Sequence, residues 1–237
     1  MQSNIRTVLR SLALNTAVAV TAGGQLIGTG NNGNIFPFGG VAGTNFPSLY
    51  PATVYQQVYA SFNFVSGPVM ISEIDFFLAY CCTTLNTGTF DIFLSTTSAQ
   101  VDGLDTTNFE ANRGADNTLF GSYVLGGIPP ATLAFTGTAF YYNPAAGNLL
   151  VDVRSSITAV GYDGNGTSFL ANNGDAGGVY SRAHNFGVAF EGWGLQTRFI
   201  STVITPEPAS ILLVATGLVG IAAISRRRRR IGGLERP

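Results

Sequence analysis

Between residues 25 and 205, apolar side chains recur at every second position in short runs broken by Gly, Asn, Asp or Pro. Period two belongs to a strand with one covered face, and no segment there sustains the stripe of an amphipathic helix. Val54, Val58, Ala60, Phe62 and Phe64 lie at even positions, and Met70, Ile74, Phe76 and Leu78 do the same in the next run. Phe90, Ile92 and Leu94 oppose Thr89, Asp91 and Phe93. Leu149, Val151 and Val153 alternate with Asp152 and Arg154, and Leu195, Thr197, Phe199, Ser201 and Val203 do the same near the end of the body. The pattern predicts about nine to twelve strands. Turn residues at this density predict an all-β fold, a β-sandwich of jelly-roll-like type. The Gly/Asn-rich run from Asn31 to Gly43 reads as a loop, and Asp102 to Asp116 as a long polar connection.

Charge narrows the partners. Only 11% of residues are charged, and all the basic ones are arginine. The body holds Arg113, Arg154, Arg182 and Arg198 against eleven carboxylates, a net charge of −7. Nucleic acid is excluded as a partner, because phosphate contacts need clustered cations. With 17 Phe and 9 Tyr the body has ample apolar surface to bury and is not disordered. The two cysteines, Cys81 and Cys82, are adjacent. Neighbouring Cα atoms lie about 3.8 Å apart, closer than ordinary disulfide geometry. They read as two thiols on opposite faces of the chain, with a strained vicinal disulfide as the alternative.

The C-terminal stretch is built differently. Pro206, Glu207 and Pro208 precede 17 uncharged residues, 209–225, and then Arg226, Arg227, Arg228, Arg229 and Arg230. Proline suits the first turn of a helix, and an acid is favoured near its N-terminus. As a helix, the uncharged run spans about 25 Å against a hydrocarbon core of about 30 Å. This predicts a short transmembrane helix over 209–225, with snorkelling arginines making up the length. Five arginines at its end place residues 231–237 in the cytoplasm by the positive-inside rule, and the body outside. At the other terminus, Arg6 and Arg10 precede a weak apolar stretch, and Val20-Thr21-Ala22 offers a small-residue cleavage site. Residues 1–24 therefore read as a signal peptide or leader.

Pro-Glu-Pro, a short apolar span and an arginine cluster, in that order near the C-terminus, resemble the PEP-CTERM sorting signal. The resemblance implies export in a Gram-negative bacterium that makes extracellular polysaccharide. It also implies recognition by an exosortase, a membrane-embedded cysteine-dependent enzyme, with cleavage at the signal. On the matching positions, Pro206, Glu207 and Pro208 form the recognition and cleavage tripeptide. Arg226, Arg227, Arg228, Arg229 and Arg230 form the stop-transfer cluster. The expected organisation is a leader at 1–24, a β-sandwich ectodomain at 25–205, the sorting signal at 206–230 and a tail at 231–237. Before processing the membrane is a partner through the helix, and the destination is the periplasm, outer surface or matrix.

The body offers little catalytic chemistry. His184 is the single histidine, in Arg182-Ala183-His184-Asn185, and reads as a surface polar residue. No G-x-S-x-G elbow accompanies it. The expected role is non-enzymatic, structural or adhesive, with no cofactor. A glycan-binding module is the second reading, with Tyr141, Tyr142 and Trp193 as rings to stack on exopolysaccharide. Asp163, Asn165 and Asp175 place oxygens as calcium ligands would, although the same residue types are ordinary turn formers. A secreted polysaccharide hydrolase is the third reading, and its acids would come from Glu73, Glu110 and Glu191.

Overall fold

The computed structural model describes residues 22–39, 53–65, 67–80, 84–159, 167–172, 177–185 and 193–204. They form eleven strands: β1 (Ala22–Ile27), β2 (Asn32–Asn34), β3 (Val54–Tyr59), β4 (Val69–Tyr80), β5 (Thr87–Thr97), β6 (Thr118–Leu125), β7 (Thr132–Tyr142), β8 (Asn148–Ala159), β9 (Ser168–Ala171), β10 (Tyr180–His184) and β11 (Thr197–Val203). The helical elements among these residues are three short 3₁₀ turns, Ser61–Asn63, Phe109–Asn112 and Pro144–Ala146. No helix among them is long and apolar enough to cross a membrane. The span expected over 209–225 lies outside the described residues.

The strands make two antiparallel sheets. One runs β1-β11-β4-β9-β2, with β7 also paired to β4, and the other runs β10-β3-β8-β5-β6. All the pairings are antiparallel. The longest ladder joins β5 to β8, from Thr87 opposite Ala159 to Thr97 opposite Asn148. Inward side chains of both sheets meet in one apolar cluster. Phe90, Ile92, Leu94, Leu149, Val151, Val153, Leu195 and Phe199 all lie there, as their alternation predicts. Phe38 sits at the cluster's centre, with ring centroids 5.2 Å from Phe76, 5.6 Å from Phe90, 5.2 Å from Phe135 and 5.7 Å from Phe169.

Three expectations are corrected by this arrangement. The Gly/Asn-rich run predicted as a loop contributes β2 and the fully buried Phe38. In β3 the residues facing the shared core are Tyr55, Gln57 and Tyr59, opposite in parity to Val54 and Val58. Val58 instead packs with Leu104, Leu150 and Ala183 in a second cluster on the outward face, and Phe62 is exposed. In β4 a bulge between Ile71 and Glu73 shifts the phase, so Val69 and Ile71 join Ile74 and Phe76 inside while Met70 does not. The start of the body also differs from the boundary read at residue 25. Ala22, Gly23 and Gly24 belong to β1 and pair with Thr202, Ser201 and Ile200.

The second cluster lies beneath residues 98–117, the long connection between β5 and β6, which folds back over β3, β8 and β10. Polar bonds tie it down. Gln56 Nε2 donates to the Phe109 carbonyl (2.9 Å), and Asn112 Nδ2 donates to Gln56 Oε1 (2.7 Å) and to the Asp105 carbonyl (2.8 Å). Glu110 and Arg113, from the same connection, join Asp152 and Arg154 of β8 in an ion-pair group. Both Asp152 oxygens accept from arginine: Oδ1 from Arg154 Nε, and Oδ2 from Arg113 Nε and Arg154 Nη2.

At the other edge, Gly137 lets β7 approach β6. A Cβ there would lie 2.3 Å from the Phe120 carbonyl oxygen. The central position of Phe38 makes it the sensitive test of the core. Phe38→Ala should lower the unfolding free energy by about 3–5 kcal/mol, read from the shift in denaturant midpoint.

Candidate functional site

The densest buried polar chemistry lies where β10 pairs with β3. Antiparallel register sets Tyr180 opposite Tyr59, Arg182 opposite Gln57 and His184 opposite Tyr55. Directly opposed residues share a face, so all six point inward from one edge of the sheet. All six are buried. The polar atoms of Tyr55, Gln57 and Tyr59 are bound to one another and to the chain entering β11. Tyr55 Oη donates to Gln57 Oε1 (2.5 Å), Gln57 Nε2 donates to the Leu195 carbonyl (2.9 Å), and Leu195 N donates back to Gln57 Oε1 (2.8 Å). Tyr59 Oη and Thr197 Oγ1 lie 2.6 Å apart. Glycine permits the close packing, since a Cβ on Gly194 would meet the Tyr180 ring at 2.2 Å.

Burial sets the charge states. It pushes the Tyr55 and Tyr59 phenols well above their usual range, so both stay neutral hydroxyls. It lowers His184 from the ordinary histidine value to about 4, and the nearby Arg182 charge adds to that. The His184 ring is stacked on Phe36 at 4.8 Å between centroids. It is thus a neutral, packed histidine rather than the surface residue that the sequence suggested. Ser181, the adjacent hydroxyl on β10, has the opposite parity and accepts from Asp102 N (2.7 Å).

The residues singled out from sequence are dispersed. Tyr142 cannot stack on a sugar: it is fully buried, donates its hydroxyl to the Gly147 carbonyl (2.9 Å) and takes Phe64 edge-on. Tyr141 and Trp193 are exposed. Tyr141 lies opposite Met70, at the start of β4. Trp193 lies two residues before Leu195, which bridges to Ala171 of β9, the strand paired with the far end of β4. The two rings are therefore near opposite ends of a strand about 30 Å long or more. Glu73 is on the outward face of β4, where it accepts from Thr136 Oγ1 (2.9 Å). Glu110 is over the outward face of β8, on the other sheet. Asp163, Asn165, Asp175, Glu191, Cys81 and Cys82 lie outside the described residues, as do 206–237. Among the described residues no group of three or more His, Cys, Asp or Glu side chains could hold a metal.

Strand β11 runs from this polar array to the end of the body. Its ladder with β4 closes at Val203 opposite Val69, and Ile204 N donates to the Pro68 carbonyl (2.9 Å). The next residue opens the segment that a family comparison recognises: the family model of the PEP-CTERM protein-sorting motif matches residues 205–230. The chain carries a PEP-CTERM sorting motif. The match takes in Pro206, Glu207, Pro208 and all five arginines of the cluster. PEP-CTERM signals are recognised by exosortase, a membrane enzyme, and mark exported proteins processed at the membrane of Gram-negative bacteria. No curated protein and no solved structure matches the chain.

Sequence reasoning missed the β10 array, although Tyr180, Arg182 and His184 stand at alternate positions and so had to share a face. The pKa of His184 has a consequence that can be measured. Its folded value, about 4, lies below the unfolded value of 6.5, so the unfolded chain binds a proton that the fold refuses. Stability from this group is complete above the unfolded value and is lost as pH falls from about 6.5 toward 4, by at most about 3 kcal/mol. His184→Phe should flatten that part of the stability–pH profile while keeping the stack on Phe36.

Proposed function

We propose that this is an exported, non-enzymatic β-sandwich protein of the cell surface or extracellular matrix. Its role is structural or adhesive, and an exosortase releases it from the inner membrane at Pro206-Glu207-Pro208. The match of the PEP-CTERM motif to residues 205–230 carries this reading. In it, the uncharged run 209–225 holds the precursor in the membrane, and Arg226 to Arg230 stop its transfer. The strand order supports the sandwich part. With β2, β9 and β10 as additions, the sheets β1-β11-β4-β7 and β3-β8-β5-β6 have the connectivity of a jelly roll. The non-enzymatic part draws support from the buried polar groups of β3, whose hydrogen bonds go to structural partners.

A second reading, glycan binding, draws on one observation. Trp193 is 36% exposed in a left-handed conformation, φ 71°. Its backbone is held on both sides, N donating to the Asn172 carbonyl (2.9 Å) and O accepting from Asn34 Nδ2 (2.6 Å). A ring fixed in that way stacks on a sugar face at little entropic cost.

The sorting reading is tested by following the intact mass in membrane and soluble fractions of a Gram-negative host that has an exosortase. The wild-type chain should lose its C-terminal segment and leave the inner membrane. Glu207→Ala combined with Pro208→Ala should accumulate as the uncleaved precursor in the inner membrane. Equal processing of the variant, or intact wild-type chain dissolved in the cytosol, would refute the proposal.

A further inference from the structure

Asp75 lies in the middle of β4 on the outward face of its sheet, yet it is fully buried. Arg198, opposite it on β11, puts both Nε (2.7 Å) and Nη2 (2.6 Å) on the same oxygen, Oδ2. The guanidinium also lies over the Phe77 ring, 5.3 Å from its centroid. Oδ1 is buried with no hydrogen-bond partner. Asp152 on the other sheet makes the contrast, because arginines reach both of its oxygens. A buried carboxylate oxygen left without a donor costs several times what an ordinary hydrogen bond contributes. The outward side chain before Asp75 on β4 is Glu73. Two ionised carboxylates are both acceptors and cannot bond to each other; one proton between them turns the contact into a bond.

We propose that Asp75 Oδ1 carries a proton and donates it to the Glu73 carboxylate, so that the two acids hold one negative charge, which Arg198 balances. Among the described residues, the strands packed against the pair supply no competing charge. From β11 the charged group is Arg198 alone. From β7 the facing residues are Thr132, Ala134 and Thr136, and Thr136 Oγ1 donates to Glu73. Behind Arg198, β1 offers Leu26 and Gly24. Burial pushes the Asp75 carboxyl above its usual range and Glu73 pushes it further, while Arg198 pulls the other way.

The pair is a pH-sensitive tie between β4 and β11, the strand that leads to the sorting motif. Here the folded pKa lies above the unfolded one. The stabilisation is therefore complete below the unfolded value of 3.8 and declines as pH rises through the folded value, when a second charge appears beside Glu73. This direction is opposite to that of His184, so in the acid range above about pH 4 the two groups change stability in opposing senses.

The test is thermal unfolding of the full-length chain in detergent micelles across pH 3.5 to 8. Asp75→Asn reproduces the protonated acid: its amide N–H donates to Glu73 and its carbonyl accepts from Arg198. The variant should melt at or above the wild-type temperature at neutral pH, and the decline above pH 4 that belongs to this pair should vanish. In the wild type, carboxyl ¹³C NMR at about pH 5, above ordinary carboxyl values, should show one protonated side chain whose signal is lost in Glu73→Gln. The proposal is overturned if Asp75→Asn melts well below wild type at neutral pH, as the loss of an ordinary ion pair would require. It is equally overturned if no protonated carboxyl is seen, or if calcium raises the wild-type melting temperature and not that of Asp75→Asn, which would make the pair a cation site.

Discussion

The structure depends on a layer of aromatic rings shared between two sheets. Phe38, Phe76, Phe90, Phe135 and Phe169 form its centre, and Tyr59, Phe64, Tyr142 and Phe199 extend it toward β11. Rings of this size bury about 150–250 Å² each, so a few of them offset much of the conformational entropy of a loop-rich, glycine-rich chain. They also impose a restriction. A phenol or amide carried inward on β3 leaves water behind, so its hydrogen-bond partner must come from the protein. Gln57 meets that demand by bonding the Leu195 backbone in both directions, and Tyr59 by bonding Thr197. Both bonds reach the chain at β11. The inner polar groups thereby add side-chain ties to the ladders that hold β11.

The sequence disclosed the strands wherever one face alone is covered. Phe90-Asp91-Ile92-Phe93-Leu94 alternates in phase with the core because its outward neighbours Asp91 and Phe93 are half-exposed, and Leu149, Val151 and Val153 keep the phase because Asp152 and Arg154 between and after them are charged. The reading lost its phase in β3, where the connection 98–117 covers the outward face and buries Gln56 and Val58 as well as Tyr55, Gln57 and Tyr59. A strand covered on both faces has no alternation to read. It lost phase again at Ser72, because a bulge inserts one residue and reverses every parity beyond it. Phe38 escaped notice because its neighbours, Pro37 and Gly39, are turn formers and nothing local reveals that a single ring inserts into the core from the turn after a short strand.

The functional features divide in the same way. The sorting motif was legible because its chemistry is linear: order, spacing and charge along one stretch of chain carry the whole signal. The groups around Arg182 and Asp75 were not, because their character comes from pairing. Arg182 meets Gln57 across 125 positions of sequence, and Asp75 meets Arg198 across 123. Tyr142 looked like a sugar platform for the same reason. Being one of two adjacent tyrosines, it had to face one way or the other, and only the position of Phe64 shows that it faces in.

The last hydrogen bond of the described body is made by Ile204, and the sorting motif starts at the residue after it. In the proposed processing, a cut at or beyond Pro206 removes no rung of the β4–β11 ladder, which closes at Val203. Under that proposal every ladder among the described residues lies upstream of the cut, so detachment would be a change of address that asks nothing of these ladders.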